Sequence, residues 1–153
     1  NRNWDALKDK EKANRPHAKG LLDDIPRSLP GLLRARKLQN RAARVGFDWP
    51  STDEVYAKID EELRELREAE ASGDADAIED ELGDLLFVMA NLARHLKVDP
   101  EQALRRTMAK FEYRFGHVQR QVRASGNDWS DFSLEQLDVF WDEAKQRAVE
   151  SSD

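Results

Sequence analysis

Two short stretches of this chain hold carboxylates where leucines would be expected. Residues 59–66 read IDEELREL and residues 79–87 read EDELGDLLF. A lone buried carboxylate costs several kcal/mol, so acids set into an apolar stripe call for a compensating cation. On a helical wheel of about 100° per residue with Val55 at zero, Ile59, Leu63 and Leu66 fall between roughly 20° and 80°, and Ala69 near −40°. Glu62, near −20°, lies inside that arc; Lys58 and Glu65 lie at its edge and Glu61 further out, at about −120°. From Ile78, Leu82, Leu85, Met89 and Leu92 span roughly −40° to 40°, with Glu81 near −60° and Asp84 just beyond Val88. Each stretch thus places one acid in the stripe and a second acid three residues later along its edge.

Four converging acids repel one another unless cations offset them. Any one of them alone reads better as an ordinary surface acid paired with Lys58, Arg64 or Arg67; the duplicated pattern favours a shared ion. Oxygen-only ligands select a hard cation such as Mg²⁺, which keeps positions for water and substrate phosphates. A di-iron site would need Glu-x-x-His pairs. His17, His95 and His117 follow Asn14, Leu92 and Arg114 at that spacing, so this reading fails and the histidines are expected at the surface or in packing. Anionic substrates also need protein cations. Lys110 and Arg114 lie one turn apart beside an aromatic stripe, as do Trp141 and Lys145 on a later segment. Spacing alone allows a solvated basic face with a core tryptophan, while an acidic metal cluster elsewhere in the chain favours phosphate binding.

The elements that must position these residues read as helices. Few glycines and prolines interrupt segments rich in Leu, Ala, Glu, Arg and Lys, the strong helix formers. Residues 1–28 look like a short helix plus an irregular arm. A helix follows from Leu29 to Val45, with Gly46 at its end. Ser51-Thr-Asp-Glu54 has the form of a capping box and opens a helix to about Ala71. Asp74 caps the next, to about Lys97, whose core stripe is expected to be Ile78, Leu82, Leu85, Met89, Leu92 and Leu96. Asp99-Pro100 opens another helix, to about Gly126, with a stripe of Leu104, Met108, Phe111, Phe115, Val118 and Val122. Ser133-Leu-Glu-Gln136, a second capping box, starts the last helix. The expected architecture is all-α, a four-helix-bundle-like domain over residues 29–150 with an extra N-terminal helix and arm.

Composition narrows the function classes. At 153 residues the chain can bury a core, and its longest apolar run, Leu85 to Ala90, is too short to span a bilayer. A net charge of −6 argues against stable nucleic-acid binding, despite Arg34, Arg36, Lys37, Arg41 and Arg44 on one helix. The lack of cysteine removes thiolate metal sites and is compatible with a cytoplasmic setting. No signal or transit segment is recognisable.

Lys58-Ile-Asp-Glu61-Glu62-Leu-Arg-Glu65 followed by Glu81-Leu-Gly-Asp84-Leu-Leu-Phe87 resembles the E-E-x-x-E and E-x-x-D signature of the all-α nucleoside triphosphate pyrophosphatases. NLARHL at 91–96, KFEYRF at 110–115, GFDW at 46–49, DDIPRSLP at 23–30 and the opening NWDALK are similar to MazG proteins within that superfamily. The resemblance implies Mg²⁺-dependent hydrolysis of nucleoside triphosphates to monophosphate and pyrophosphate, Mn²⁺ as a substitute ion, and a homodimer. It implies metal ligation by Glu62, Glu65, Glu81 and Asp84, and substrate contacts from Lys58, Lys110, Arg114, Trp141 and Lys145. It further implies that this stretch is a C-terminal catalytic domain plus its connector. Water attacks the α-phosphorus in this scheme, with Glu61 and Glu62 as the catalytic pair and Glu61 a candidate general base. The rival is a non-enzymatic helical dimerisation module, with Leu85 to Leu92 as the self-association face.

Overall fold

The structure is a computed structural model and describes residues 2–13 and 20–151; His17 lies outside the described residues. It is helical throughout, with no strand among the described residues. The elements are α1 (Arg2–Ala13), α2 (Gly31–Arg44), α3 (Thr52–Ser72), α4 (Ala75–His95), α5 (Pro100–Ser125), a 3₁₀ turn (Trp129–Asp131) and α6 (Leu134–Ser151). The chain divides into two compact units between Glu101 and Gln102, so α5 begins in the first and continues through the second.

In the first unit, α4 packs against both α3 and α2. Gly73, at φ +73°, ends α3 in the left-handed conformation that a side chain would strain,. Asp74 then caps α4, its Oδ1 accepting from the backbone N–H groups of Asp76 (3.0 Å) and Ala77 (3.4 Å). So short a joint makes α3 and α4 antiparallel neighbours. Val55, near the start of α3, packs with Val88 and Leu92, near the end of α4, and Trp49 and Ile59 close the cluster. At α2, Gly46 (φ +87°) turns the chain, and Arg41 grips the Asp24 carboxylate with two hydrogen bonds of 2.5 and 2.8 Å. Arg36 pairs with Asp99 at 3.4 Å. These two members of the basic α2 series tie segments of the unit together.

The second unit is built from α5 and α6. Val118, Val122 and Ala144 are buried, and so is His117, whose Nε2 lies 2.9 Å from a Glu143 carboxylate oxygen. The Ser133 box forms as its sequence predicts: the Gln136 N–H donates to Ser133 Oγ (3.1 Å), and the Ser133 N–H donates to Gln136 Oε1 (2.8 Å).

Three expectations change. Ser51 occupies the N-cap position of α3 but makes no side-chain capping hydrogen bond. The buried line of α4 is Val88, Ala90, Asn91 and Leu92, whereas Leu82, Met89 and Leu96 of the expected stripe are exposed. On α5, Leu104, Met108, Phe111 and Phe115 are exposed and only Val118 and Val122 of the expected stripe are buried. Periodicity identifies an apolar face; burial also requires neighbours that cover it, and among the described residues these side chains are covered only in part.

Candidate metal centre

The buried line of α3 is Val55, Glu62 and Ala69, residues seven apart, while Leu63 is 39% exposed. Seven residues make about two turns, so Glu62 occupies the core layer that follows Val55. Counting back from Val88 on the antiparallel α4 by the same two turns reaches Glu81. The hairpin therefore replaces one apolar layer with acids. Glu62 is only 3% exposed, and carboxylate oxygens of Glu62, Glu81 and Asp84 all lie within 4.8 Å of one another.

Partners within the protein answer only part of this charge. Lys58 Nζ lies 3.1 Å from Glu62 Oε1 and 3.4 Å from Glu61 Oε2. The hydrogen bond to Glu62, with support from Glu61, raises the Lys58 pKa against the opposing effect of burial. Glu62 Oε2 and Glu81 Oε2 are buried without a hydrogen-bond partner, a state that costs about 1–3 kcal/mol or more for a charged group. Burial, then the neighbouring Glu65 and Glu62 carboxylates, push Glu81 up to about 7. Burial and the charges of Asp80 and Glu62 raise Asp84 as well, with Lys58 opposing them. Three carboxylates, two orphaned oxygens and strained ionisation fit a hard divalent cation.

Of the residues singled out in the sequence, Lys58, Glu61, Glu62, Glu81 and Asp84 gather here, and Glu65 stands beside Glu81. The others belong to the second unit. There the Arg114 guanidinium sits 5.7 Å from the centroid of the Trp141 ring, and Phe111 packs on the same ring at 5.5 Å. Lys110 and Lys145 are exposed.

Sequence reasoning missed a feature on the other side of Val88. A cavity of about 500 Å³ is lined by residues of α2, the 46–49 turn and α4, among them Gln39, Phe47, Trp49, Phe87 and Asn91. Asp48 anchors its rim, paired with Arg94 and, at 2.9 Å, with His95 Nε2. Burial alone would raise the Asp48 carboxyl, but hydrogen bonds and charge from Arg94 and His95 outweigh it and hold the pKa below its ordinary value. The signal was present in GFDW, an aromatic-rich turn following a helix, but its depth depends on how α2 meets α4.

Residues 51–119 match the family model of the MazG nucleotide pyrophosphohydrolase domain. The chain belongs to the MazG family. It is 44% identical over 151 positions to the nucleoside triphosphate pyrophosphohydrolase of Escherichia coli K12, covering 96% of this chain and 56% of that protein. It is 40% identical over 142 positions to the nucleoside triphosphate pyrophosphohydrolase/pyrophosphatase MazG of Thermotoga maritima, covering 93% of this chain and 54% of that protein. YabN of Bacillus subtilis, described as uncharacterized, is 39% identical over 145 positions, which span 94% of this chain and 29% of YabN. The chain thus spans about half the length of the first two relatives. The matched MazG span contains the whole acid cluster, Lys58, Lys110 and Arg114, and ends before Trp141 and Lys145.

Proposed function

We propose that this chain hydrolyses nucleoside triphosphates to nucleoside monophosphate and pyrophosphate, with Mg²⁺ as its working cation and Mn²⁺ as a substitute. The observation that carries the reading is the replacement of a core layer by the acids of Glu62, Glu81 and Asp84, with two carboxylate oxygens buried and unpartnered. The printed names of the E. coli and T. maritima relatives agree with it. Bound there, Mg²⁺ supplies charge neutralisation on phosphate oxygens and makes nearby water more acidic.

The protein's own part is to hold and orient. Glu62, Glu65, Glu81 and Asp84 are the proposed ligands, and Lys58 keeps the Glu62 carboxylate in place through their 3.1 Å contact. Water attacks the α-phosphorus, the bond from that phosphorus to its bridging oxygen breaks, and pyrophosphate departs with the bridging oxygen. Glu61 is the proposed acceptor of the water's proton. Lys110, Arg114 and Lys145 offset charge on the β- and γ-phosphates, and Trp141 supports the Arg114 guanidinium. The working form is a homodimer in the cytoplasm, where nucleoside triphosphates are made and consumed. No helix among the described residues is long and apolar enough to cross a membrane.

Separating the products formed from a panel of ribo- and deoxyribonucleoside triphosphates with Mg²⁺ tests the cleavage position. Monophosphate plus pyrophosphate is expected; diphosphate plus phosphate would refute it. Glu62→Ala and Asp84→Ala should each lower pyrophosphate release by more than about a hundredfold, with helical circular dichroism retained. Near-normal turnover in both variants would remove the metal-ligand assignment.

A further inference from the structure

His117 on α5 is 2% exposed and takes no part in the reaction proposed above. It continues a line of residues that face α6: Phe111, Arg114 and His117 follow one another at three-residue spacing, nearly one helical turn each,. Two charged side chains of α6 bracket its ring. Nε2 lies 2.9 Å from Glu143 Oε2, and Nδ1 lies 3.4 Å from Arg147 Nη1. A guanidinium only donates hydrogen bonds, so Nδ1 is the acceptor and Nε2 carries the hydrogen that goes to Glu143. The ring is therefore the neutral Nε2–H tautomer, accepting from one α6 side chain and donating to another one turn away. A leucine would fill a similar volume with no ring nitrogens to desolvate, so the polar choice calls for a role in which direction matters.

That role follows from where these side chains leave α6. Taking about 100° per residue with Trp141 at zero, Lys145 falls near 40°, Ala144 near −60°, Arg147 near −120° and Glu143 near −160°. Ala144 is buried, so α5 grips α6 on both flanks of it. On one flank Phe111 packs on the Trp141 ring at 5.5 Å and the Arg114 guanidinium lies 5.7 Å from its centroid. On the other, His117 holds Arg147 and Glu143. Two flanks fix the roll of the helix; one leaves it free to turn about the aromatic contact. Lys145, exposed and beside Trp141 on the wheel, moves with any such roll. We propose that His117 is a positioning residue: as the neutral Nε2–H tautomer it locks the roll of α6 and so sets Trp141 and Lys145 for the triphosphate. This rests on the phosphate-hydrolysis reading for what those two residues meet.

The test pairs kinetics with the state of the ring. His117→Leu removes both hydrogen bonds at similar volume, whereas His117→Gln keeps one acceptor and one donor. With adenosine triphosphate and Mg²⁺, His117→Leu should raise KM about tenfold and leave kcat within about twofold of the parent, and His117→Gln should recover most of that loss. Arg147→Met, which cannot donate, should raise KM in the same way and keeps the proposal open to refutation if His117→Leu does not fold. Nitrogen-15 NMR of the parent chain should show His117 bare at Nδ1 and protonated at Nε2. A proton on Nδ1, a Gln variant no better than Leu, or a lowered Tm with KM unchanged in both His117→Leu and Arg147→Met would overturn the proposal. Pyrophosphate release by the parent separates the two readings. If there is none, the reaction falls, and the clamp is judged by the Trp141 indole signal alone: it should shift in Arg147→Met, and an unmoved signal would refute the clamp.

Discussion

Glu81 is the residue whose behaviour should report the acid cluster most directly. Its folded-state pKa is pushed from 4.5 up to about 7, so over that interval the folded protein holds a proton that the unfolded chain has released. The stabilising contribution is then complete below the unfolded value and is lost as the pH rises through the folded one. In the presence of a chelator, Tm should fall between about pH 4.5 and 7 by an amount missing from Glu81→Gln; equal slopes in the two proteins would contradict the assignment. Divalent ions compete with that proton, so the rise in Tm on adding Mg²⁺ should be larger at about pH 8 than at about pH 6. The placement of Glu62 within an apolar arc could be read from the sequence, because angular position follows from spacing alone. That Glu62 is buried more deeply than Leu63 could not, since burial depends on where α4 lies.

At the scale of elements, helix starts differ in what their first residue contributes. Ser133 and Asp74 accept backbone hydrogen bonds and Ser51 does not. Ser133→Ala and Asp74→Ala should each destabilise by about 1 kcal/mol, while Ser51→Ala should change stability by only a few tenths of a kcal/mol. Chemical denaturation measures all three, and a Ser51 cost equal to that of Ser133 would contradict the difference in geometry. Both boxes have the same sequence pattern, so the distinction lay beyond the sequence: whether the side-chain oxygen reaches the third N–H depends on the approach of the preceding segment. Helix boundaries were legible for the opposite reason. Gly46, Gly73, Asp74 and Asp99-Pro100 act on their own backbone, and the helices begin and end beside them.

At the scale of the whole molecule, α4 leaves much of its apolar surface exposed among the described residues. Leu82, Leu86, Phe87 and Met89 are 44–54% exposed, an apolar face of the kind that marks an association surface. The proposed homodimer uses this face. Leu86→Glu should raise the dimer dissociation constant by at least about tenfold without loss of helix, as measured by sedimentation; a wild-type chain that is monomeric at every concentration would dismiss the dimer. The acid cluster stands apart from these larger questions. Its proposed ligands and Lys58 all fall within residues 58–84, on one hairpin closed by Gly73 and Asp74. For the history of such a protein this means that a single short duplication would copy a complete cation site. Changes in the remaining helices could then alter what is bound around the ion without disturbing the chemistry at its centre.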